Sequence, residues 1–253
     1  MKPTPVRRAL AGAALVAFSM VVLSPAVADA RGRSPPDLTG SWERHRAPPG
    51  DPTNPPPEAP PPLKRALLAE WQTRRAAAAA ADARGEPIAT GYTHCLPDGV
   101  PSMMSGPFPF EILQGATQLN ITQEAYNQTR RIYFGQPQVT LDDVELGFYG
   151  HSVAEWQGDT LVVDTIGIKD YIRFRDTPHS PDMRITERFR LVTPDVLWDE
   201  ITIEDPEMLE KPWTVTFAYR RMPNYALLEY VCEDNREYAD ENGVGRLRVT
   251  KPQ

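Results

Sequence analysis

The chain has few of the residues from which common catalytic and metal-binding motifs are built. Its 253 residues include only two cysteines and four histidines. The sequence contains no C-x-x-C pair, no H-E-x-x-H motif, no glycine-rich phosphate loop, no dinucleotide fingerprint and no G-x-S-x-G nucleophile motif. Such motifs hold ligands, backbone amides or a nucleophile at the spacing that the chemistry requires. Their absence argues against nucleotide chemistry and a metal site, and we expect no cofactor.

Long hydrophobic runs are missing after the first thirty residues, so no membrane-spanning helix is expected there. Within those thirty residues, basic side chains precede an apolar run over residues 9–23, and small residues follow it. This pattern is typical of a cleavable signal peptide, which we assign to residues 1–30 with cleavage near Ala28 or Ala30. The sequence therefore predicts a periplasmic or secreted protein and leaves open the choice between Sec and twin-arginine export.

An excess of basic charge is also absent. The chain carries 27 Lys and Arg against 34 Asp and Glu, a net charge of −7. Without the predicted signal peptide the counts are 24 and 33, which gives a net charge of −9. Nucleic acids and anionic membrane surfaces recruit proteins through basic patches. We therefore expect neither nucleic acid nor a membrane surface as a partner of the mature protein.

The two cysteines, Cys95 and Cys232, both lie in the predicted mature chain. An even pair in an exported protein predicts one disulfide, here closing a loop of 137 residues. A metal or redox role for the cysteines is the weaker alternative, because only His94 stands beside one of them.

The pattern after residue 30 divides into three parts. Residues 31–62 hold a first strand with an aromatic anchor at Trp42 and then a proline-rich linker, in which nine of the residues from 48 to 62 are proline. Residues 63–85 contain a helix, predicted over Leu63–Ala83 from the spacing of its leucines and one tryptophan. Residues 86–253 form short alternating segments separated by turn residues, which predicts an antiparallel β-barrel domain. The expected strands are Phe110–Leu113, Gln118–Gln123, Arg130–Phe134, Ser152–Trp156, Thr160–Ile166, Met183–Val192, Val196–Ile203, Trp213–Arg221, Ala226–Val231 and Arg246–Val249.

Two carboxylates fall on the apolar faces of neighbouring predicted strands. Glu187 alternates with inward apolar residues in one strand, and Asp199 does so in the next. If the two strands pair through the turn at Thr193–Asp195, both carboxylates face one interior. Two carboxylates in one cavity raise the pKa of one of them, which suits an acid–base pair. The alternative is that either carboxylate forms a structural ion pair with an inward arginine such as Arg131 or Arg173.

Other candidate site residues are aromatic side chains and histidines. Trp213, Phe217 and Tyr219 share one face of a strand and are predicted to line a core or pocket wall. His151 and His179 each precede a serine beside a strand and are candidate acids, bases or ligands at the rim of the barrel. We predict no metal site. The candidate residues are completed by Tyr149, which with Tyr219 is suited to steady a developing oxyanion.

Several segments together resemble a large family of exported bacterial proteins of unassigned function. They are Asp37–Trp42, Cys95–Pro101, Gly150–Ser152, Trp156–Val163, Ile185–Phe189, Lys211–Trp213 and Tyr230–Asn235. The resemblance covers most of the predicted mature chain and implies no particular reaction.

Gly40-Ser41-Trp42 is also similar to the G-x-W of lipocalin and calycin barrels, in which the tryptophan closes one end under the first strand. This resemblance implies a mainly β, lipocalin-like antiparallel barrel with a cup for a small molecule. The long proline-rich and helical insertion after the first strand departs from a simple lipocalin. We expect this insertion to cover or brace the barrel.

The sequence is compatible with three functions. The leading hypothesis is binding of a small, partly apolar molecule in the barrel cavity. The second is a cofactor-independent isomerase, dehydratase, cyclase or hydrolase that uses Glu187 or Asp199 with His151 or His179. The third is an envelope protein whose proline-rich segment binds a protein partner.

Overall fold

The computed structural model describes residues 34–86, 88, 95–232, 237–239, 241 and 245–247. The predicted signal peptide lies outside the described residues. The helices are α1 (Arg65–Ala83) and α2 (Ser102–Ser105). The strands are β1 (Gly40–Arg44), β2 (Phe110–Gln114), β3 (Gln118–Gln123), β4 (Gln128–Phe134), β5 (His151–Gln157), β6 (Thr160–Ile166), β7 (Arg184–Thr193), β8 (Val196–Glu204), β9 (Trp213–Met222), β10 (Glu237–Ala239) and β11 (Gly245–Leu247).

Strands β1 to β9 form a closed barrel in sequence order, with β1 paired to β9. Side chains alternate between a buried interior and an outer surface along these strands, as the period of two predicts. The mainly β barrel predicted from the sequence is therefore confirmed. One neighbouring pair is parallel: β4 and β5 run in the same direction, and the connection over residues 135–150 brings the chain back along the barrel.

One end of the barrel is closed by the segment that precedes β1. Trp42 is fully buried, and its indole N–H donates to the carbonyl of Leu38 at 3.1 Å. The Arg221 guanidinium carbon lies 4.2 Å from the centre of the Trp42 ring, and Arg221 also donates to the carbonyl of Thr39. The aromatic anchor predicted at Trp42 thus closes this end, which we call the closed end.

The opposite end, which we call the mouth, is covered by the insertion between β1 and β2. The proline-rich segment lies against the barrel: the indole N–H of Trp198 donates to the carbonyl of Thr53 at 2.9 Å, and that of Trp213 donates to Ala59 at 2.8 Å. Proline-rich backbone suits this role because proline has no N–H donor that needs a partner, while the carbonyls of the segment accept these indole hydrogen bonds. Helix α1 packs Leu67, Leu68 and Trp71 against the core. No helix among the described residues has the length and hydrophobicity needed to cross a membrane.

The C-terminal segment follows β9 outside the barrel. The strand predicted over Ala226–Val231 is wrong, because these residues make no β-ladder in the structure. The barrel is already closed by pairing of β9 with β1, so no sheet edge remains for them. The strand predicted over Arg246–Val249 overlaps β11 at residues 246–247, and β11 pairs with β10 in a short hairpin; residues 248–249 lie outside the described residues.

The predicted disulfide between Cys95 and Cys232 is present. It joins the insertion to the C-terminal segment across 137 positions of sequence. A disulfide is typical of proteins in oxidising compartments outside the cytosol.

Candidate functional site

A ring of polar side chains crosses the middle of the barrel interior, with one residue from each of seven adjacent strands. We call this ring the polar belt, and each member faces inward at a position where alternation puts the side chain inside. Its members, from β4 round to β1, are Arg130, Ser152, Thr165, Glu187, Asp199, Tyr219 and Arg44.

The half of the belt on β4 to β7 is fully hydrogen-bonded. Arg130 donates to both carboxylate oxygens of Glu187, from Nη1 to Oε1 at 2.7 Å and from Nη2 to Oε2 at 2.5 Å. Both side chains are completely buried. Arg130 also donates to the hydroxyls of Ser152 and Thr165, which bond to each other at 2.8 Å. A bidentate pair with these extra donors and acceptors is a stable way to hold two charges inside a protein.

The half of the belt on β8, β9 and β1 contains buried polar atoms without hydrogen-bond partners among the described residues. Asp199 is completely buried, and neither carboxylate oxygen has a hydrogen-bond partner among the described residues. Asp199 pairs with Phe189 on β7 and with Phe217 on β9. It lies two residues before Ile201, which is the residue of β8 that pairs with Glu187. Burial, and next the negative charge of Glu187, raise the pKa of Asp199 well above its ordinary value. The raised pKa favours the protonated form of the Asp199 carboxyl, which is able to donate a hydrogen bond.

Tyr219 and Arg44 complete this second half. The Tyr219 hydroxyl donates to the carbonyl of Met104 at 2.6 Å, which ties the belt to the insertion. Burial, and next the charge of Asp199, raise the pKa of Tyr219 well above its ordinary value, so its phenol stays neutral. Arg44 pairs with Tyr219 in the β1–β9 ladder, and its guanidinium carbon lies 4.3 Å from the centre of the Phe217 ring. Arg44 Nη1 is buried without a hydrogen-bond partner among the described residues.

An aromatic cluster separates the belt from the mouth. Phe174 packs on Trp213 with 5.2 Å between ring centres and on Phe217 with 6.2 Å. Beside it is a narrow crevice of about 10 Å³, which is roughly the space of one water molecule. The crevice is lined by Pro101, Ile172, Phe174, Thr177, Pro178, His179, Met183, Ile203, Asp205, Leu209 and Trp213.

Phe174 belongs to a turn that the insertion holds down. In this turn Arg175 and Asp176 both have positive φ values, 54° and 61°, which non-glycine residues rarely adopt. The carbonyl of Arg175 accepts a hydrogen bond from the indole of Trp71 at 3.1 Å, and the side chain of Arg175 forms a bidentate ion pair with Glu58. We call residues 174–176 the mouth turn, because they carry Phe174 of the aromatic cluster.

The sequence-predicted site residues divide between the interior and the periphery. Glu187 and Asp199 face one interior as predicted, and Phe217, Trp213 and Tyr219 line it. His151 lies instead on the outer surface, where it stacks on Tyr133 and bonds to Gln138. His179 lies at the crevice, with Nδ1 2.9 Å from the carbonyl of Ser180 and Nε2 3.0 Å from that of Lys169. These separate surroundings do not place the two histidines together in one site.

Tyr149 lies at the mouth, away from the belt. It is half-buried and packs near Phe148. Burial, and then the charge of Asp98, raise the pKa of Tyr149 to about 12. In the part of the chain that the structure describes, no three His, Cys, Asp or Glu side chains are grouped as they would be around a metal ion.

Two arginines of the belt lie at positions where the sequence pattern alone predicts an inward side chain. The partner of Glu187 is Arg130, whereas Arg131 and Arg173 are exposed on the surface. Alternation with the inward Ile132 already puts Arg130 on the apolar face of β4. Alternation with Trp42 likewise puts Arg44 inside. Ser152 and Thr165 carry no such signal, because hydroxyl side chains occur on both faces of strands.

These features define a class: a closed nine-stranded barrel, covered at one end, with ionisable groups buried in its interior. Comparison of the chain with models of known protein families finds no match, and comparison with curated proteins finds none either.

Proposed function

We propose that this protein is exported and binds a small, partly apolar molecule inside its barrel, between the aromatic cluster at the mouth and the unpaired half of the polar belt. The observation that carries this proposal is that the Asp199 carboxyl and Arg44 Nη1 are buried without hydrogen-bond partners among the described residues. Buried polar groups are almost always hydrogen-bonded, because leaving one unpaired costs about 1–3 kcal/mol. A bound polar group would supply the partner.

The surroundings of these polar groups suit an amphipathic molecule. Phe217 and Phe174 lie between Asp199 and the mouth, and Trp213 continues this apolar wall. Ligand pockets are commonly apolar with a few placed polar groups. Since the crevice holds about 10 Å³, entry of a ligand requires the mouth turn to move outward.

The disulfide supports the exported location. A bond between Cys95 and Cys232 forms and persists in an oxidising compartment. With the sequence pattern of residues 1–30, it supports cleavage near Ala28 or Ala30 and release into the periplasm or medium.

The proposal is tested by native mass spectrometry of the protein purified from its own compartment, followed by denaturation to identify any released molecule. Phe217→Leu should weaken rebinding of that molecule by about tenfold, because it removes part of the aromatic wall and leaves the fold intact. The matched control is Tyr133→Leu, an aromatic truncation on the outer surface of the barrel, which should leave affinity unchanged. Equal affinity of the wild type and Phe217→Leu would contradict binding at this position.

Acid–base catalysis in the same cavity is a second candidate, supported by the raised pKa of Asp199. A protonated buried carboxyl is suited to act as a general acid, while Glu187 is held by Arg130. Asp199→Asn should then abolish turnover of the retained molecule and keep its binding. Unchanged turnover in that variant would exclude Asp199 as the acid.

A further inference from the structure

Within the part of the chain that the structure describes, the charge balance of the polar belt leaves one cationic group without an anionic partner when Asp199 is protonated. Arg130 and Glu187 neutralise each other through their bidentate contact. Asp199 is uncharged when protonated, and the Tyr219 hydroxyl is already committed to the Met104 carbonyl. While Asp199 is protonated, Arg44 therefore contributes a net positive charge to the belt.

Arg44 and Asp199 flank the same aromatic ring. The guanidinium carbon of Arg44 lies 4.3 Å from the centre of the Phe217 ring, and Asp199 is directly opposite Phe217 in the β8–β9 ladder. Both groups have buried polar atoms without hydrogen-bond partners among the described residues. A single bound group beside Phe217 is therefore placed to contact both.

Resting on the function proposed above, we propose that Arg44 and Asp199 recognise a carboxylate group on the bound molecule. One carboxylate oxygen accepts a hydrogen bond from Arg44 Nη1, and the other accepts from the hydroxyl of the neutral Asp199 carboxyl. The apolar remainder of the ligand lies against Phe217 and Phe174. A ligand cation would meet the positive charge of Arg44, and a neutral amide lacks the charge that strengthens a hydrogen bond to an arginine.

The pH dependence follows from the groups that face Asp199. These are Glu187 on β7, Arg130 on β4, Arg44 on β1 and Tyr219 on β9; Glu200 lies on the outer surface of β8. Because the pKa of Asp199 is raised, it donates to a carboxylate below that pKa and repels the carboxylate above it. Affinity for a carboxylate should therefore fall as pH rises through the raised pKa.

The test uses phenylacetate and its neutral analogue phenylacetamide as probes, with binding to the mature protein measured by titration calorimetry. Wild-type protein should bind phenylacetate at least about tenfold more tightly than phenylacetamide, the value expected for one charge-assisted hydrogen bond. Arg44→Gln should remove that preference, because it weakens binding of phenylacetate more than binding of phenylacetamide. The matched control is Arg188→Gln, which alters an exposed arginine on the outer face of β7 and should keep the preference.

The outcomes separate this proposal from the function on which it rests. Equal wild-type affinities for the two probes, or an unchanged preference in Arg44→Gln, would overturn carboxylate recognition and leave small-molecule binding standing. Failure of both probes to bind the wild type, together with no retained molecule in native mass spectrometry, would overturn both.

A second variant tests the role of Asp199. Asp199→Asn keeps a hydrogen-bond donor and cannot ionise, so its affinity for phenylacetate should stay constant at pH values where that of the wild type falls. The same fall with pH in both proteins would show that another group controls binding and would overturn the assignment of Asp199.

Discussion

Asp199 is held in a state that stability alone would not favour. Its carboxyl is buried beside Glu187, and the two unpaired oxygens gain no hydrogen bond from the described residues. Polar groups placed this way are commonly found where proteins bind ligands or perform chemistry. At the residue scale, this contrast with the satisfied pair of Arg130 and Glu187 supports the proposed binding role of the second half of the belt.

Asp199→Asn should make the protein more stable than the wild type at alkaline pH. The folded-state pKa of Asp199 is raised, so the folded protein retains a proton that the unfolded chain releases above its ordinary pKa. Wild-type stability then falls with rising pH, by about 1.4 kcal/mol for each pH unit between the two pKa values. The stability of the Asp199→Asn variant should not show this fall with pH, because asparagine does not ionise. Urea denaturation of both proteins at pH 4 and pH 8 measures it, and a difference in stability that stays the same at both pH values would contradict the raised pKa.

The sequence predicts residue orientation better than it predicts residue partners. Alternation put Glu187 and Asp199 inside the barrel, and both are completely buried. The arginine that pairs with Glu187 was expected at 131 or 173 and is Arg130. Alternation with Ile132 identifies Arg130 as the inward arginine of β4, but its contact with Glu187 joins β4 to β7, and no local pattern encodes that contact.

At the scale of elements, helix α1 and the proline-rich segment act together on the mouth turn. Trp71 donates to the carbonyl of Arg175 from the helix side, and Glu58 pairs with the Arg175 side chain from the proline-rich side. Two consecutive residues with positive φ cost on the order of 1 kcal/mol each, so the turn needs these contacts to stay in place.

Trp71→Phe should loosen the mouth turn without disturbing the barrel. The phenyl ring keeps most of the packing, and the variant loses the indole N–H that donates to Arg175. Loss of a hydrogen bond worth about 1 kcal/mol should raise amide hydrogen exchange roughly fivefold at Thr177, whose N–H closes the turn onto Phe174. Thr73→Ala, a change on the same helix that does not touch the turn, should leave exchange unchanged. Unaltered exchange in Trp71→Phe would show that the helix does not hold the turn.

Most barrel strands were predictable, and the exceptions have physical causes. Thr160–Ile166 and Gln118–Gln123 match the predicted ranges, because a half-buried strand shows clear alternation. The parallel pairing of β4 and β5 was not predictable, since alternation gives no strand direction. Ala226–Val231 alternates in hydrophobicity but follows β9, the strand that closes the barrel. The closed barrel has no strand edge with which this segment could pair.

At the scale of the whole molecule, the disulfide joins the insertion to the segment after the barrel. The double variant Cys95→Ser with Cys232→Ser should lower the free energy of unfolding by about 4–5 kcal/mol, as expected for a closed loop of 137 residues. Urea denaturation with and without reductant measures the effect. The double variant should be insensitive to reductant, which makes it the control. A thiol assay shows when the disulfide of the wild type is reduced. Unchanged stability of the reduced wild type would contradict this prediction.

The pairing of β1 with β9 also determines when the barrel can form. Ser41 lies opposite Met222, so β1 can complete its pairing only after β9, the last strand of the barrel, has formed. Until then the sheet has two open edges, each with unpaired backbone groups that can pair with another chain. Contacts between such distant segments slow folding, because the loop between them must close first. The partly folded barrel is therefore the state in which this protein is most prone to aggregation. Pairing of residues 213–222 with β1 removes both open edges.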